Sequence, residues 1–186
     1  PNLKVCPIEM RVKDQQEEIA RGSIDLGFMT LDSKDRTNDE YVVLSQEELM
    51  LIIPSGHPAA ERFSSSDTEI PTISLRELQY EPFVLMDKNS TLRSVCDTAF
   101  QKAGFTPNIL FETNNTSGIA SMVESTLCCG IIPWYYVSQP SKKLTRFHIE
   151  ERPVWDVAVS YSKNNYLNSG AREFIQLAKK WWDSIS

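Results

Sequence analysis

The sequence predicts an α/β fold, because segments with the patterns of strands and of helices alternate along most of the chain. Uninterrupted apolar runs, such as residues 49–53, are typical of strands covered on both faces, as in parallel sheets. Amphipathic helical stripes follow several of these runs. Of the 186 residues, 41% are hydrophobic and 24% are charged. This composition is ordinary for a globular protein and excludes a disordered, collagen-like or coiled-coil chain.

The first third of the chain is predicted to contain several strands and one helix. The helix is expected at residues 13–21, where Asp14 and Glu17 have the spacing of a capping box and Gly22 follows as a C-cap. In order, the predictions are a strand at 3–10, this helix, a short buried strand at 24–29, a polar loop at 32–40, and strands at 41–44 and 49–53.

The middle of the chain contains the clearest helical pattern. Apolar residues recur at intervals of three and one from Leu92 to Ala103, and Gly104 and Pro107 end the helix. In order, the predictions are a polar connection at 55–72, a helical turn capped by Ser74, a strand at 82–86, this helix, a strand at 109–111, a helix containing Ile119, Met122 and Val123, and a strand at 128–133.

The last two elements are predicted from different periodicities. Apolar and smaller or polar residues alternate between Trp155 and Tyr161, which predicts a half-exposed strand. A helix follows at 169–184. The side expected to be buried consists of Phe174, Leu177, Ala178, Trp181 and Ile185.

The charge and hydropathy of this chain argue against nucleic acid and membrane as its direct partners. The 19 basic and 25 acidic residues give a net charge of −6, which argues against a large surface for gripping nucleic-acid phosphates. No apolar run approaches the roughly 18 residues of a membrane span, so no membrane partner is expected. The chain begins at Pro1 without a signal-peptide pattern, and we interpret it as a fragment of a longer protein.

The cysteines and histidines do not have the spacing of a metal site. The four cysteines are Cys6, Cys96, Cys128 and Cys129, with no C-x-x-C pair, and the two histidines are His57 and His148. No metal or other cofactor is therefore expected. The adjacent pair Cys128-Cys129 leaves a redox switch as one hypothesis, although two small buried side chains are the favoured interpretation. His57 is expected to be a surface or turn residue.

Signatures of catalysis are also missing. The sequence contains no nucleophile elbow, no H-E-x-x-H zinc motif and no phosphate-binding loop of the P-loop type. None of its seven glycines forms a G-x-G-x-x-G turn. We therefore expect a protein that is not an enzyme.

Polar clusters stand at two successive strand–helix junctions, residues 87–91 and 113–117. The N–H groups at helix N-termini attract anions, and Ser, Thr and Asn side chains add donors beside them. In an open parallel sheet both junctions lie at the carboxyl ends of strands, where ligands bind. Plain N-capping explains the same residues and stays open as the alternative.

The order of motifs along the whole chain resembles that of LysR-type transcriptional regulators. Residues 1–5 and 19–28 are similar to the family's tyrosine-proline and L-x-x-G-x-hydrophobic-Asp segments, 54–60 to its HPLA segment, 75–84 to its L-x-x-L and proline step, 103–107 to AGF-x-P, and 122–133 to its GLG-x-x-x-LP segment.

The resemblance implies an effector-binding domain with the two lobes of a periplasmic-binding-protein-like fold, joined by two crossover strands near residues 44–53 and 148–155. Lobe I is expected at 1–50 plus 153–186, and lobe II at 51–152. A small, possibly anionic metabolite would bind between the lobes. The ligand contacts that the resemblance implies are Arg11, Thr30, Asn89, Ser90, Thr91, Asn114, Asn115 and Pro133.

The resemblance further implies an allosteric sensor that works in the cytoplasm as a homodimer or tetramer. It would act on promoter DNA through a winged helix-turn-helix domain that is absent from this chain. The alternative is an extracytoplasmic solute-binding protein of the same architecture. Three departures from the family pattern stand out: a further strand and helix would precede Pro1, Thr126-Leu127-Cys128 replaces a Gly-x-Gly, and Thr91 and Phe100 occupy the positions of the peroxide-sensing cysteines.

Overall fold

The computed structural model describes residues 4–63, 70–125 and 128–185. Strands and helices alternate within these ranges, which confirms the α/β class. The helices are α1 (Val12–Arg21), α2 (Pro58–Phe63), α3 (Thr91–Ala103), α4 (Thr116–Ser125) and α5 (Ser169–Ile185). The strands are β1 (Gly27–Leu31), β2 (Glu40–Pro54), β3 (Thr72–Ile73), β4 (Pro82–Met86), β5 (Asn108–Thr113), β6 (Cys129–Pro133), β7 (Leu144–Ile149) and β8 (Val154–Tyr161).

The chain folds into two compact units. Unit 1 comprises Pro1–Gln46 and Trp155–Ser186, and unit 2 comprises Glu47–Val154. The chain passes from one unit to the other inside β2 and again at the start of β8. The two apolar runs that were predicted as separate strands, at 41–44 and 49–53, therefore form one strand of 15 residues.

Unit 1 is built on a sheet with a helix on each face. β1 pairs with β8 in antiparallel orientation, and β2 lies on the other side of β8. Since neighbouring residues of a strand point to opposite faces, β8 supplies apolar side chains to both helices. The α1 cluster contains Ile19, Met29, Leu31 and Ala158, and the α5 cluster contains Leu44, Val159 and Ile175.

The prediction of a half-exposed strand at 155–161 is wrong. β8 is buried from residue 155 to residue 160, because it lies between two strands and has a helix over each face. Its polar residue Asp156 is accommodated by an ion pair in which Oδ2 lies 2.6 Å from Nη2 of Arg36. Gln46 donates a further hydrogen bond to the same carboxylate at 3.3 Å.

The predicted buried side of the last helix is also wrong. In α5 the residues facing the sheet are Ala171 and Ile175, which are four positions apart and so lie on one helical face. Phe174, Leu177 and Trp181 are 37%, 58% and 54% exposed. The helix is rotated from the predicted orientation, with Ala178 partly buried against the Val159 cluster. The side chain of Ile185 lies outside the described part.

The start of the chain differs from prediction as well. Residues 4–10 form no strand, and Val5 and Ile8 are exposed. α1 begins at Val12 with Arg11 as its N-cap residue and without a side-chain cap, so the predicted capping box is wrong. Gly22 ends α1 as predicted, with a φ of 76° that suits glycine.

Unit 2 is a mixed sheet in the order β3-β7-β2-β6-β4-β5. β4 is parallel to β5 and β6, whereas β2 is antiparallel to β6 and β7. The run at 49–53 is fully buried, but in an antiparallel context. Burial on both faces, rather than strand direction, explains its bare apolar character. One core cluster contains Met50, Ile52, Val84, Ile119, Val123, Cys128, Ile132 and Val137.

Several other elements of unit 2 agree with prediction, whereas β3, α2 and β7 were not predicted. β4 has the predicted bounds, and α3 ends at Gly104 with a φ of 81°. Ser74 caps a short 3-10 helix by accepting a hydrogen bond from the Arg76 N–H. The predicted polar connection at 55–72 contains α2, and its Ser64-Ser65-Ser66 segment lies outside the described residues, as do Thr126 and Leu127. Among the described helices, none has the length and apolar character to cross a membrane.

Candidate functional site

Three parallel strands bring the predicted polar junctions of unit 2 to one edge of its sheet. β4 lies between β5 and β6 and runs parallel to both, so the carboxyl ends of the three strands lie side by side. The Asp87 N–H, just after β4, donates to the Thr113 carbonyl at the end of β5 at 2.9 Å. Pro133 ends β6 at the same edge and is buried. We call this set of strand ends, with the loops that follow them, the polar edge.

The first junction of the polar edge leads from β4 into α3. Ser90 is the N-cap of α3, and its Oγ accepts a hydrogen bond from the Arg93 N–H at 3.1 Å. Asn89 donates from both its backbone N and Nδ2 to Asp87 Oδ1, each at 3.0 Å. Thr91 opens the helix, and its hydroxyl has no hydrogen-bond partner within the described part of the chain.

The second junction leads from β5 into α4. Asn115 Oδ1 accepts hydrogen bonds from the backbone N–H groups of Ser117 at 2.9 Å and Gly118 at 3.3 Å. Its backbone N–H in turn donates to Thr113 Oγ1 at 3.2 Å. Asn114 is exposed, and its side chain has no hydrogen-bond partner among the described residues. N-capping, the alternative interpretation, therefore accounts for Ser90 and Asn115, whereas Thr91 and Asn114 keep free hydrogen-bonding groups.

Arg93 holds the two junctions together, although it was not among the residues predicted from the sequence. The side chain is 10% exposed and donates to Asp97 at 2.8 Å, to Glu112 of β5 at 2.5 Å and to the carbonyl of Met86 at 3.1 Å. Burial alone would lower the pKa of Arg93, but the hydrogen bonds that Arg93 donates to the carboxylates of Glu112 and Asp97 raise the pKa above its ordinary value. The pairing of Arg93 with Asp97 could have been predicted from the sequence, because the two residues are four positions apart on one helix. The pairing with Glu112 of β5 could not, because the two residues are distant in the sequence.

A surface pocket of about 350 Å³ lies next to Arg93, between α3 and β5. It is lined by Arg93, Asp97, Phe100, Gln101, Phe105, Thr106, Pro107 and Ile109. None of the predicted ligand contacts lines this pocket. The pocket and the polar edge are therefore distinct features of unit 2.

The two predicted contacts of unit 1 are Arg11 and Thr30. Arg11 is exposed immediately before α1. Thr30 is half-buried in β1, where it lies opposite Val157 of β8. Neither side chain has a hydrogen-bond or ion-pair partner within the described residues. Both are therefore free to contact a ligand, and their assignment depends on the resemblance alone.

The histidine prediction needs one correction. His57 lies in the predicted turn, but it is only 6% exposed. Its Nδ1 accepts a hydrogen bond from the Ala59 N–H at 3.1 Å, and its Nε2 lies 3.3 Å from Glu81 Oε2. An acceptor at Nδ1 places the ring proton on Nε2, where it can be donated to Glu81. His57 therefore caps the start of α2.

Cys6 is exposed, whereas Cys96, Cys128 and Cys129 are buried. Burial raises the pKa of Cys96 and Cys129 far above the ordinary value for a thiol, which keeps these two thiols in the unreactive protonated form. Across the described ranges, no three His, Cys, Asp or Glu side chains are grouped so that they could hold a metal ion.

Comparison with known proteins gives one consistent result. The family model for the LysR substrate binding domain matches residues 1–183. The uncharacterized HTH-type transcriptional regulator YwbI of Bacillus subtilis is 27% identical over 186 residues, which is 98% of this chain and 59% of that protein. The chain thus spans little more than half the length of this relative.

Solved structures show the same fold. The effector binding domain of QuiR in complex with shikimate has a TM-score of 0.73 at 16% identity, covering 94% of this chain and 79% of that one. The CcmR regulatory domain of Synechocystis PCC6803, in complex with 2-PG, has a TM-score of 0.74 at 16% identity, with coverages of 92% and 79%. With the family model matching almost every residue, the chain belongs to the LysR-type transcriptional regulator family as its substrate-binding, or effector-binding, domain.

Proposed function

We propose that this domain binds a small anionic metabolite, and that binding controls how a LysR-type regulator acts on promoter DNA through a winged helix-turn-helix domain outside this chain. The observation that carries the proposal is the polar edge of unit 2. Two helices, α3 and α4, begin there, next to the free side-chain groups of Thr91 and Asn114. In solved relatives of the same fold, such domains hold shikimate or 2-PG.

An anion suits this edge for electrostatic reasons. The N-terminus of a helix carries roughly half a positive charge, and the N–H groups of its first turn are directed outward. Ser90 and Asn115 satisfy some of these N–H groups, so an anion would use the others together with Thr91 and Asn114. Asn89, Ser90, Asn115 and Pro133 would shape the site.

The proposed mechanism is allosteric and needs no catalytic step. A ligand shifts a conformational equilibrium only by the difference between its affinities for the two states. We propose that the effector favours one arrangement of the regulator over another, and that the whole protein works in the cytoplasm as a homodimer or tetramer. The curated relatives are transcriptional regulators. They therefore support this function over an enzyme or an extracytoplasmic solute-binding protein.

The test is calorimetric titration of the domain with a panel of carboxylates and phosphates that includes shikimate. We expect at least one anion to bind, and Thr91→Ala to weaken its binding about ten- to a hundredfold, because a hydrogen bond to a charged group contributes about 1.5–3 kcal/mol. Ser90 is left intact, since its hydroxyl caps α3.

Thr106→Ala serves as the matched control, because Thr106 is an exposed threonine that follows the other end of α3. Its Kd should equal that of the unchanged domain. Equal affinities for the Thr91 variant and this control would remove Thr91 from the site. A panel without any binding anion would contradict the proposed function itself.

A further inference from the structure

Three consecutive aromatic residues stand at the polar edge, and the family resemblance gives them no role. Trp134, Tyr135 and Tyr136 form a 3-10 helix directly after Pro133, the last residue of β6. They are 36%, 72% and 48% exposed. Because β6 neighbours β4 in parallel orientation, this aromatic turn follows the strand next to the one that leads into Thr91.

The backbone of the aromatic turn is held by contacts with the rest of unit 2, so its exposure is not the result of a flexible loop. The guanidinium of Arg146 lies over the Trp134 ring, 5.2 Å from its centroid, and donates to the carbonyl groups of Val137 and Ser138. The residue that follows the turn, Val137, is only 6% exposed and packs in the core cluster of unit 2. The backbone of the turn and the Trp134 ring are therefore held in a fixed position.

Tyr135 is fixed through its backbone and remains free at its ring. Its N–H donates to Glu47 Oε1 at 2.8 Å, and its ring meets that of Tyr136 edge to face with centroids 5.6 Å apart. An edge-to-face pair leaves ring surface open for a further ring to stack. The Glu47 carboxylate repels a negative charge nearby, so an uncharged part of a ligand suits this position.

We propose that Tyr135 and Tyr136 are specificity-determining residues that bind a ring of the effector, while its anionic group lies at the starts of α3 and α4. The inference deepens the proposed function and rests on it. It narrows the effector class from small anions in general to cyclic carboxylates. Ligand sites commonly combine an apolar or aromatic wall with a few placed polar groups, and at this edge the two lie on adjacent strand ends.

The test compares three probes that share a carboxylate: benzoate, cyclohexanecarboxylate and acetate. Calorimetry of the unchanged domain should show benzoate and cyclohexanecarboxylate binding at least tenfold more tightly than acetate. The double variant Tyr135→Ala with Tyr136→Ala should reduce this preference about tenfold, in line with the energy of an aromatic contact and the ring area it covers. Tyr135→Phe with Tyr136→Phe should keep it.

Tyr80→Ala is the matched control, because Tyr80 is 86% exposed and also belongs to unit 2. Circular dichroism of each variant is the control for folding. An unchanged ratio of benzoate to acetate affinity in the double alanine variant overturns the inference, and so does a change in sedimentation coefficient without a change in ligand affinity, which would assign the aromatic turn to contact between copies.

The two levels of the proposal fail in different ways. If the carboxylates bind with equal affinity and Thr91→Ala weakens all three, the ring inference is wrong and the proposed function stands. If none of the three binds, and shikimate does not bind either, both are contradicted. If Thr91→Ala leaves the affinity for all three carboxylates unchanged while the tyrosine variants remove the preference for rings, the ring site is supported and Thr91 is removed from the anion site.

Discussion

At the residue scale, the burial of the cysteine thiols bears on the hypothesis of a redox sensor. Cys6 is exposed, whereas Cys96, Cys128 and Cys129 are buried. Only a thiolate reacts readily, and burial raises the pKa of Cys96 and of Cys129, the latter with a further contribution from the nearby Glu81 carboxylate. The adjacent pair that suggested a redox switch is therefore packed as small apolar side chains, with Cys128 in the core of unit 2.

We expect one thiol of the native domain to react with Ellman's reagent at neutral pH, and four to react in 6 M guanidinium. The fast group should be Cys6, so Cys6→Ser should abolish the native reaction. Mass spectrometry after mild peroxide treatment should find Cys128 and Cys129 unlinked. A vicinal disulfide formed in the native state would reinstate the redox hypothesis.

Also at the residue scale, the candidate site shows what sequence patterns can and cannot establish. The polar residues just after the strands could be identified from the sequence as caps or ligand contacts, because Ser and Asn are among the residues preferred at the start of a helix. Whether each side chain caps the helix or stays free depends on its rotamer, which a sequence pattern does not determine. In the structure the hydroxyl of Ser90 caps α3, whereas the hydroxyl of Thr91 has no partner among the described residues. The pairing of Arg93 with Glu112 depends on the register of β4 and β5.

At the element scale, the sequence identified which segments are helices and strands better than it identified their buried sides. α3 and β4 were predicted well, since each has one apolar face or run and clear end signals. α5 and β8 were not. A periodicity reveals an apolar stripe but not the element that covers it, so the exposed Phe174 and Leu177 of α5 were assigned to the core.

The packing of α4 on β6 gives a prediction at the same scale. A Cβ at Gly130 would lie 2.6 Å from Ile119 Cγ2 and 3.1 Å from Val123 Cγ2, closer than packed carbon atoms approach one another. Gly130→Ala should therefore push α4 away from the sheet and lower the free energy of unfolding by about 1–3 kcal/mol. Urea denaturation followed by circular dichroism measures this change.

The matched control is Gly56→Ala, where a Cβ would meet nothing within 4 Å. That variant should stay within about 0.5 kcal/mol of the unchanged domain. Ile119→Ala combined with Gly130→Ala should cost less than the sum of the two single changes, because the shortened side chain makes room for the new methyl group. Strict additivity would mean that the contact between α4 and β6 is not the cause.

At the scale of the whole molecule, the alternation of strands and helices was enough to predict the α/β class, but it does not reveal where the chain divides. β2 is polar at residues 45–48, where it leaves unit 1, but this polar segment predicts a loop between two strands as readily as a boundary between two units. The expectation of two lobes came from the resemblance. Unit 1 is assembled from two distant segments of the chain, whereas unit 2 is one continuous segment, and this difference has consequences for folding.

We expect residues 47–154 to fold when expressed alone. The segment has ordinary domain length, roughly 100 residues, and the core cluster of Met50, Val84 and Ile119 lies entirely within it. Cutting β2 at residue 47 leaves its pairing with β6 and β7 intact. The measurement is cooperative thermal unfolding with a near-ultraviolet circular dichroism signal, and Val84→Asp, at a fully buried position, should abolish both. A gradual transition in the unchanged segment would mean that unit 2 depends on unit 1 for its fold.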